Sequence, residues 1–156
     1  MKIKEAQESD VLAITDLFRQ TVLQINKQDY AQPQLDVWSS SADNLAKWKE
    51  RIAEQYFLVA VSEAKIVGFA SLATDGYLDF MYVHHQHQKQ GIAAKLYEAI
   101  EQKAIAQQNP KIYSEVSLTA RPFFEKQGFV IIKQQQKLYA DVLFTNFVME
   151  KRLNTK

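Results

Sequence analysis

The spacing of the apolar residues changes near residue 55, and that change limits what the chain can fold into. Before it, Ile14, Leu17, Phe18, Val22 and Ile25 recur at helical spacing, as do Leu45, Trp48 and Ile52. After it come three β-rich runs, Tyr56 to Val61, Ile66 to Leu72 and Tyr77 to Val83. Glu63-Ala64 and Asp75-Gly76 separate them, and the second pair is a hairpin signal, so the three read as an antiparallel meander. The helical period then returns in Ile92, Leu96, Ile100 and Ala104, and Asn109-Pro110 ends that helix. The residues near Lys2 alternate as a short strand. Ile112 to Val116, Val130 to Leu138 and Val142 to Met149 read as three more, with a short helix from Thr119 to Gln127 stopped by Gly128. The first helix is expected from about Asp10 to Asn26, with Ser9 and Asp10 offering cap oxygens. Gln28 to Ser41 reads as irregular, broken at Pro33, with room for a short helix around Leu35 to Trp38. Ser41 or Asp43 would cap the next helix. The expected order is β-α-α-β-β-β-α-β-α-β-β. That is an α/β (α+β) domain over residues 1–156: one central mixed, mostly antiparallel sheet of about seven strands, flanked by about four helices.

Charge and cysteine content remove several functions. Lys+Arg 19 against Asp+Glu 18 leaves a net charge of +1, so no long-range field draws the chain to nucleic acid or to an anionic membrane. Zero cysteines exclude a disulfide framework, a thiolate zinc site and a cysteine nucleophile. The N-terminus has no apolar stretch resembling a signal peptide, and no apolar run is long enough to span a bilayer. A cytoplasmic location is the expectation.

The most informative segment runs Val83-His84-His85-Gln86-His87-Gln88-Lys89-Gln90-Gly91-Ile92-Ala93. It leaves a strand, crosses a polar loop and enters a helix. The first N–H groups of a helix lack intrahelical partners and carry partial positive charge, so they suit a phosphate where the backbone is exposed. Gly91 and Ala93 keep side chains out of such a cradle, Gln88 and Gln90 add neutral donors, and Lys89 adds a cation. A plain strand-to-helix turn, with Gly91 present for geometry, accounts for the spacing equally well.

Gln88-x-x-Gly91-x-Ala93 after a strand resembles the [Q/R]-x-x-G-x-[G/A] signature of the GNAT superfamily of acyl-CoA-dependent N-acyltransferases. The segment from Ser117 to Phe129, which includes Ala120, Phe123, Phe124, Glu125 and Gly128, is similar to that family's N-x-x-A-x-x-F-Y-E-x-x-G-F segment. The element order agrees over nearly the whole chain. The resemblance implies a GNAT-like fold and acetyl transfer from acetyl-CoA to a primary amine, by direct transfer in a ternary complex. Small molecules, peptide N-termini and protein lysines all remain open as acceptors. A non-catalytic acyl-CoA-binding sensor or partner module is the alternative. It also implies a pyrophosphate site at Gln88, Lys89, Gln90, Gly91, Ile92 and Ala93. Main-chain contacts with the pantetheine arm would come from Met81, Tyr82 and Val83 on a strand that splays from Ile112 to Val116. Ser117, Ala120 and Phe124 would meet the cofactor from the second motif. The family's exposed strand ends leave a homodimer open.

Three positions depart from the family pattern. His85 stands where Pro is frequent, and Ser117 where Asn is usual. Phe124 replaces a tyrosine whose hydroxyl protonates the departing thiolate in many relatives. Phe124 can only pack, so the proton would come from water, from Tyr139 or from Tyr113, or the enzyme would work without that acid.

Asp79 is the leading candidate base or ammonium ligand. The period of two puts it on one strand face with Tyr77, Met81 and Val83, and a carboxylate inside an apolar strand needs a reason. An ordinary salt bridge is the competing reason. Glu115 is a weaker candidate. His84, His85 and His87 lie in the loop without carboxylate or cysteine neighbours, so no metal site is expected there, and His84 reads as a solvated residue before a base. Tyr30 and Trp38 are candidate walls of the acceptor pocket, able to hold an ammonium by cation–π contact, whereas Trp48 reads as core.

Overall fold

In the computed structural model, which describes residues 1–153, seven strands form two antiparallel sheets. The first carries β1 (Lys2–Glu5), β2 (Tyr56–Ser62), β3 (Lys65–Leu72) and β4 (Leu78–Val83), in that order. The second carries β5 (Lys111–Ser117), β6 (Val130–Tyr139) and β7 (Val142–Arg152), in the order β5-β7-β6. The expected meander is there. Both residues of its first turn, Glu63 and Ala64, are left-handed (φ 50° and 65°), which matches the strand twist, and Ala140 and Asp141 repeat that turn (φ 47° and 62°) between β6 and β7.

The seven strands expected in one central sheet divide into two sheets at the pair expected to splay, β4 and β5, which one parallel bridge between Tyr77 and Tyr113 joins. Five α-helices stand where about four were expected: α1 (Val11–Gln24), α2 (Gln32–Ser40), α3 (Leu45–Glu54), α4 (Ile92–Ala106) and α5 (Arg121–Lys126). The added one is α2. Pro33 starts it rather than breaking the chain, because the first helical turn needs no N–H from proline and its fixed φ suits a helix. The caps also differ. The Lys47 N–H donates to Asn44 Oδ1 at 3.3 Å, so Asn44 caps α3 instead of Ser41 or Asp43. Asp10 caps no part of α1, because its Oδ2 accepts the Gln7 N–H at 2.8 Å in the turn before it.

Apolar residues are buried on both faces of the first sheet, which is why β2 and β3 read as nearly unbroken apolar runs. One face packs Leu58, Val67, Leu96, Ile100 and Phe129 under α4 and α5. The other packs Ile14, Phe18, Trp48, Phe57, Phe69 and Phe80 under α1 and α3. Trp48 stacks on Phe80 at 4.6 Å between ring centroids. No helix among the described residues is long and apolar enough to cross a membrane.

The β3–β4 turn decides where the two sheets touch. The Tyr113 N–H donates to the Gly76 carbonyl at 3.1 Å, and Ser114 Oγ donates to the Leu78 carbonyl at 2.7 Å. Gly76 is left-handed (φ 94°), and a Cβ there would lie 2.5 Å from the Lys111 carbonyl oxygen. Gly76→Ala therefore meets both backbone strain and a clash, and is expected to cost roughly 2 kcal/mol. Urea unfolding monitored by circular dichroism checks it. An unchanged midpoint would mean that the turn does not seat β5.

Candidate active site

Beyond Gly76 and Ser114, β4 and β5 separate, and a cavity of about 960 Å³ opens between them. Its wall at one end is Gln88, Lys89, Gly91 and the first turn of α4; at the other it is Val37, Trp38 and Ser41 of the α2 region with Phe144 and Asn146 of β7. The polar loop bends back on itself there, with Lys89 (φ 60°) and Gly91 (φ 81°) both left-handed. No side chain caps α4 at Gly91, and a Cβ added at Gly91 would meet no atom within 4 Å. The N-terminus of a 15-residue helix thus faces open space in the cavity wall, which is the condition for an anion site. Ile92 and Ala93 line the same wall.

The structure does not use every residue of the expected cradle alike. Gln88 Nε2 donates to the Val83 carbonyl at 2.6 Å and to the His84 carbonyl at 3.4 Å. Its side-chain amide therefore locks the loop to the end of β4 and is not a free donor for a phosphate. Gln90 is exposed and lies outside the cavity wall. The Val83 carbonyl, which also accepts from Thr21 Oγ1 at 3.3 Å, is already engaged, and Tyr82 pairs with Phe69 of β3, so Met81 carries the open main chain of β4. The three histidines pack on one another beside the loop, His84 and His85 stacked at 4.4 Å. His84 Nδ1 accepts the Gln86 N–H at 3.0 Å, and burial together with the neighbouring His85 and His87 holds its pKa below the ordinary histidine value.

Asp79 faces the other way from the sequence expectation. Leu78 pairs with Leu72 and Phe80 with Ser71, which leaves Asp79 as the extra residue of a β-bulge. The bulge cancels one step of the alternation. Asp79 and Phe80 both meet α3, while Met81 and Val83 pack into the opposite core. Arg51 Nε lies 3.3 Å from Asp79 Oδ2, and Gln55 Nε2 donates to the same oxygen at 2.9 Å. The Arg51 guanidinium also sits 5.3 Å from the Phe80 ring centroid. Asp79 still lines the cavity, its side chain 15% exposed, and no protein donor engages its Oδ1. Glu115, the weaker candidate, also lines the cavity, ion-paired with Lys137 and accepting from Gln135 Nε2 at 2.5 Å.

The far wall is aromatic. Tyr30 and Trp38 meet edge to face at 5.1 Å, Trp38 and Phe144 at 6.3 Å, and Phe144 and Tyr139 at 5.6 Å. The Tyr30 hydroxyl donates to the Thr145 carbonyl at 2.8 Å and accepts the Leu118 N–H at 2.9 Å, so its ring is fixed and its polar atom is used. Burial pushes the Tyr30 and Tyr82 phenols above the ordinary tyrosine value. Phe144 and Asn146 were absent from the expected site. The signal for them was a polar Asn146 two residues beyond Phe144 on the same face of an apolar strand.

The second motif meets the cavity as expected at Ser117, Ala120 and Phe124. Ser117 Oγ accepts the Ala120 N–H at 3.0 Å, which starts the turn into α5. Phe124 is buried against Phe129, with ring centroids 5.0 Å apart, and one side of it reaches the cavity. Of the two tyrosines considered as acids, Tyr139 lines the cavity and is 48% exposed. Tyr113 lies outside the wall. Its hydroxyl donates to Asp75 Oδ2 at 2.5 Å, and this bond pushes its pKa up to about 12.

Residues 26–151 match the model of an acetyltransferase (GNAT) domain. An Escherichia coli K12 protein described as an uncharacterized N-acetyltransferase, YafP, is 30% identical over 149 residues, covering 96% of this chain and 94% of its own. Among solved structures, the GCN5-related N-acetyltransferase "Aminotransferase, Class-II" from Rhodopseudomonas palustris superposes with a TM-score of 0.94 at 28% identity, over 97% of this chain and 95% of that one. The PaiA N-acetyltransferase of Thermoplasma acidophilum, solved with coenzyme A, superposes at 0.81 with 17% identity, over 97% and 98%. A parted pair of strands, a glycine-opened helix end between them and a family match over most of the length agree, and the chain belongs to the GNAT family of acetyltransferases.

Proposed function

We propose that this protein moves an acetyl group from acetyl-CoA to a primary amine, with both bound at once. The observation that carries the proposal is the cavity between β4 and β5, with a free helix N-terminus at one end and an aromatic wall at the other. The open space at Gly91 fits a pyrophosphate, since a backbone without side chains can approach it closely. Acetyl-CoA supplies the activated acyl carbon: a C–N bond forms as the C–S bond breaks, the nitrogen loses a proton and the sulfur gains one.

The residues of this chain do the positioning. The N–H groups at the start of α4 hold the pyrophosphate, with Lys89 adding charge. The main chain of Met81, on the edge of β4 that faces away from β3, hydrogen-bonds the amides of the pantetheine arm. Ala120 and Phe124 pack against that arm, and Ser117 sets the turn that brings them there. Asp79, its Oδ2 held by Arg51 and Gln55, accepts the amine proton at Oδ1, directly or through water. Tyr139 gives a proton to the departing sulfur, which Phe124 cannot do. Holding both reactants in one cavity provides much of the acceleration.

Three measurements follow. Gly91→Leu fills the space over the helix end at a left-handed position, and CoA affinity measured by calorimetry is expected to fall at least tenfold, about 1.4 kcal/mol. Unchanged affinity in the folded variant removes the cradle from the account. Asp79→Asn keeps the shape and loses the charge, so turnover is expected to fall roughly a hundredfold while acetyl-CoA affinity holds; loss of cofactor binding instead would make Asp79 a structural residue. Tyr139→Phe is expected to lower turnover about tenfold or more, with Phe124→Tyr in the intact protein changing little. A rate gain in Phe124→Tyr with no loss in Tyr139→Phe would show that Tyr139 is not the acid.

A further inference from the structure

We propose that the acceptor is a monoamine carried on an aromatic or branched apolar body, and that polyamines and lysine-rich peptides are poor substrates. The proposal rests on the acetyltransferase reading of the same cavity and adds the chemistry of its second substrate.

The charge arithmetic of the wall comes first. Two carboxylates line the cavity, Asp79 and Glu115, and each already has a cation of its own, Arg51 and Lys137. A substrate with several ammonium groups would have to lose their hydration with no free carboxylate to receive the second or third. Such a cost excludes it unless each charge is paired.

The surface itself is the second observation. Tyr30, Trp38, Tyr139 and Phe144 form one connected set of rings, and Val37 and Tyr82 line the cavity with them. The Tyr30 hydroxyl is fully used inside the protein, so its ring presents carbon to the cavity. Rings already fixed by their neighbours bury an apolar body with little ordering cost, and their faces attract a single ammonium. The same setting favours the chemistry. Removing an amine from water disfavours its charged form, so less proton transfer is left for Asp79 before the nitrogen can form its bond.

The test uses the full chain with saturating acetyl-CoA and follows free thiol release. The acceptors are 2-phenylethylamine, 3-methylbutylamine, spermidine and a lysine-rich peptide. The expected result is a kcat/KM for the two apolar monoamines at least tenfold above that for spermidine and the peptide. Trp38→Ala should then lower the 2-phenylethylamine value at least tenfold while calorimetric acetyl-CoA affinity stays unchanged. Preference for spermidine or the peptide overturns the proposal, as does failure to acetylate either apolar amine while acetyl-CoA binds. Those results leave the transferase reading standing. Failure of acetyl-CoA to bind the wild-type chain overturns that reading, and the acceptor proposal with it.

Discussion

The two sheets are fastened to each other at one end only, and the rest of the site follows from that. Gly76 and Leu78 offer carbonyls to the Tyr113 N–H and to Ser114 Oγ, and Tyr77 bridges Tyr113. Past these contacts no ladder joins β4 to β5. Two parallel strands that begin together and then part leave two rows of backbone donors and acceptors without a strand partner. Such groups need partners from elsewhere, either a ligand or water. The sheet therefore contains its own binding slot, and the slot's depth is set by how firmly the far end is clamped. Gly76 belongs to the site's construction although it touches no part of the cavity.

The bulge at Asp79 belongs to the same construction. An extra residue in β4 raises the local twist and bends the strand where it must leave β5. The bulged residue is a carboxylate, which would be costly among the rings of that face without a cation, and Arg51 supplies one from the last turn of α3. Arg51 lies beside Phe80 as well, so one side chain neutralises the bulge and covers the ring next to it. Helix α3 thus reaches the cavity through a strand it packs against.

Much of this was legible in the sequence, for reasons that particular residues show. The meander could be read because its turns carry local chemistry, and the α4 segment because Gly91 follows a strand and opens an apolar helix. The second motif placed Phe124 on the cavity through its resemblance to the GNAT segment. What could not be read depends on register or on distant partners. The parity of Asp79 is reversed by a bulge that a single strand's alternation cannot reveal. The gap between the sheets was expected only through the family resemblance, because an absence of hydrogen bonds between β4 and β5 is encoded by no local pattern. Helix α2 was read only as a short helix around Leu35 to Trp38, because Pro33 reads as a breaker until its place in the first turn is known. The Gln88 side chain looked free for a ligand because the Val83 carbonyl that takes it is visible only once β4 ends where it does.

Phe124 and the far wall then make one argument about polarity. Phe124 packs edge to face on Phe129 and lines the cavity without a polar atom. The ring gives up a donor and keeps the α5 side of the cavity apolar. On the opposite wall, the polar atom of Tyr30 is consumed by backbone groups of β7 and of the loop after β5, so its ring presents carbon beside Ser41 and Asn146. Asp79 Oδ1 beside the parted strands, Tyr139 at the half-open end of β6 and Thr119 Oγ1, buried without a hydrogen-bond partner among the described residues, are polar groups of the lining. A cavity arranged in this way holds its reactants by shape and exclusion of water.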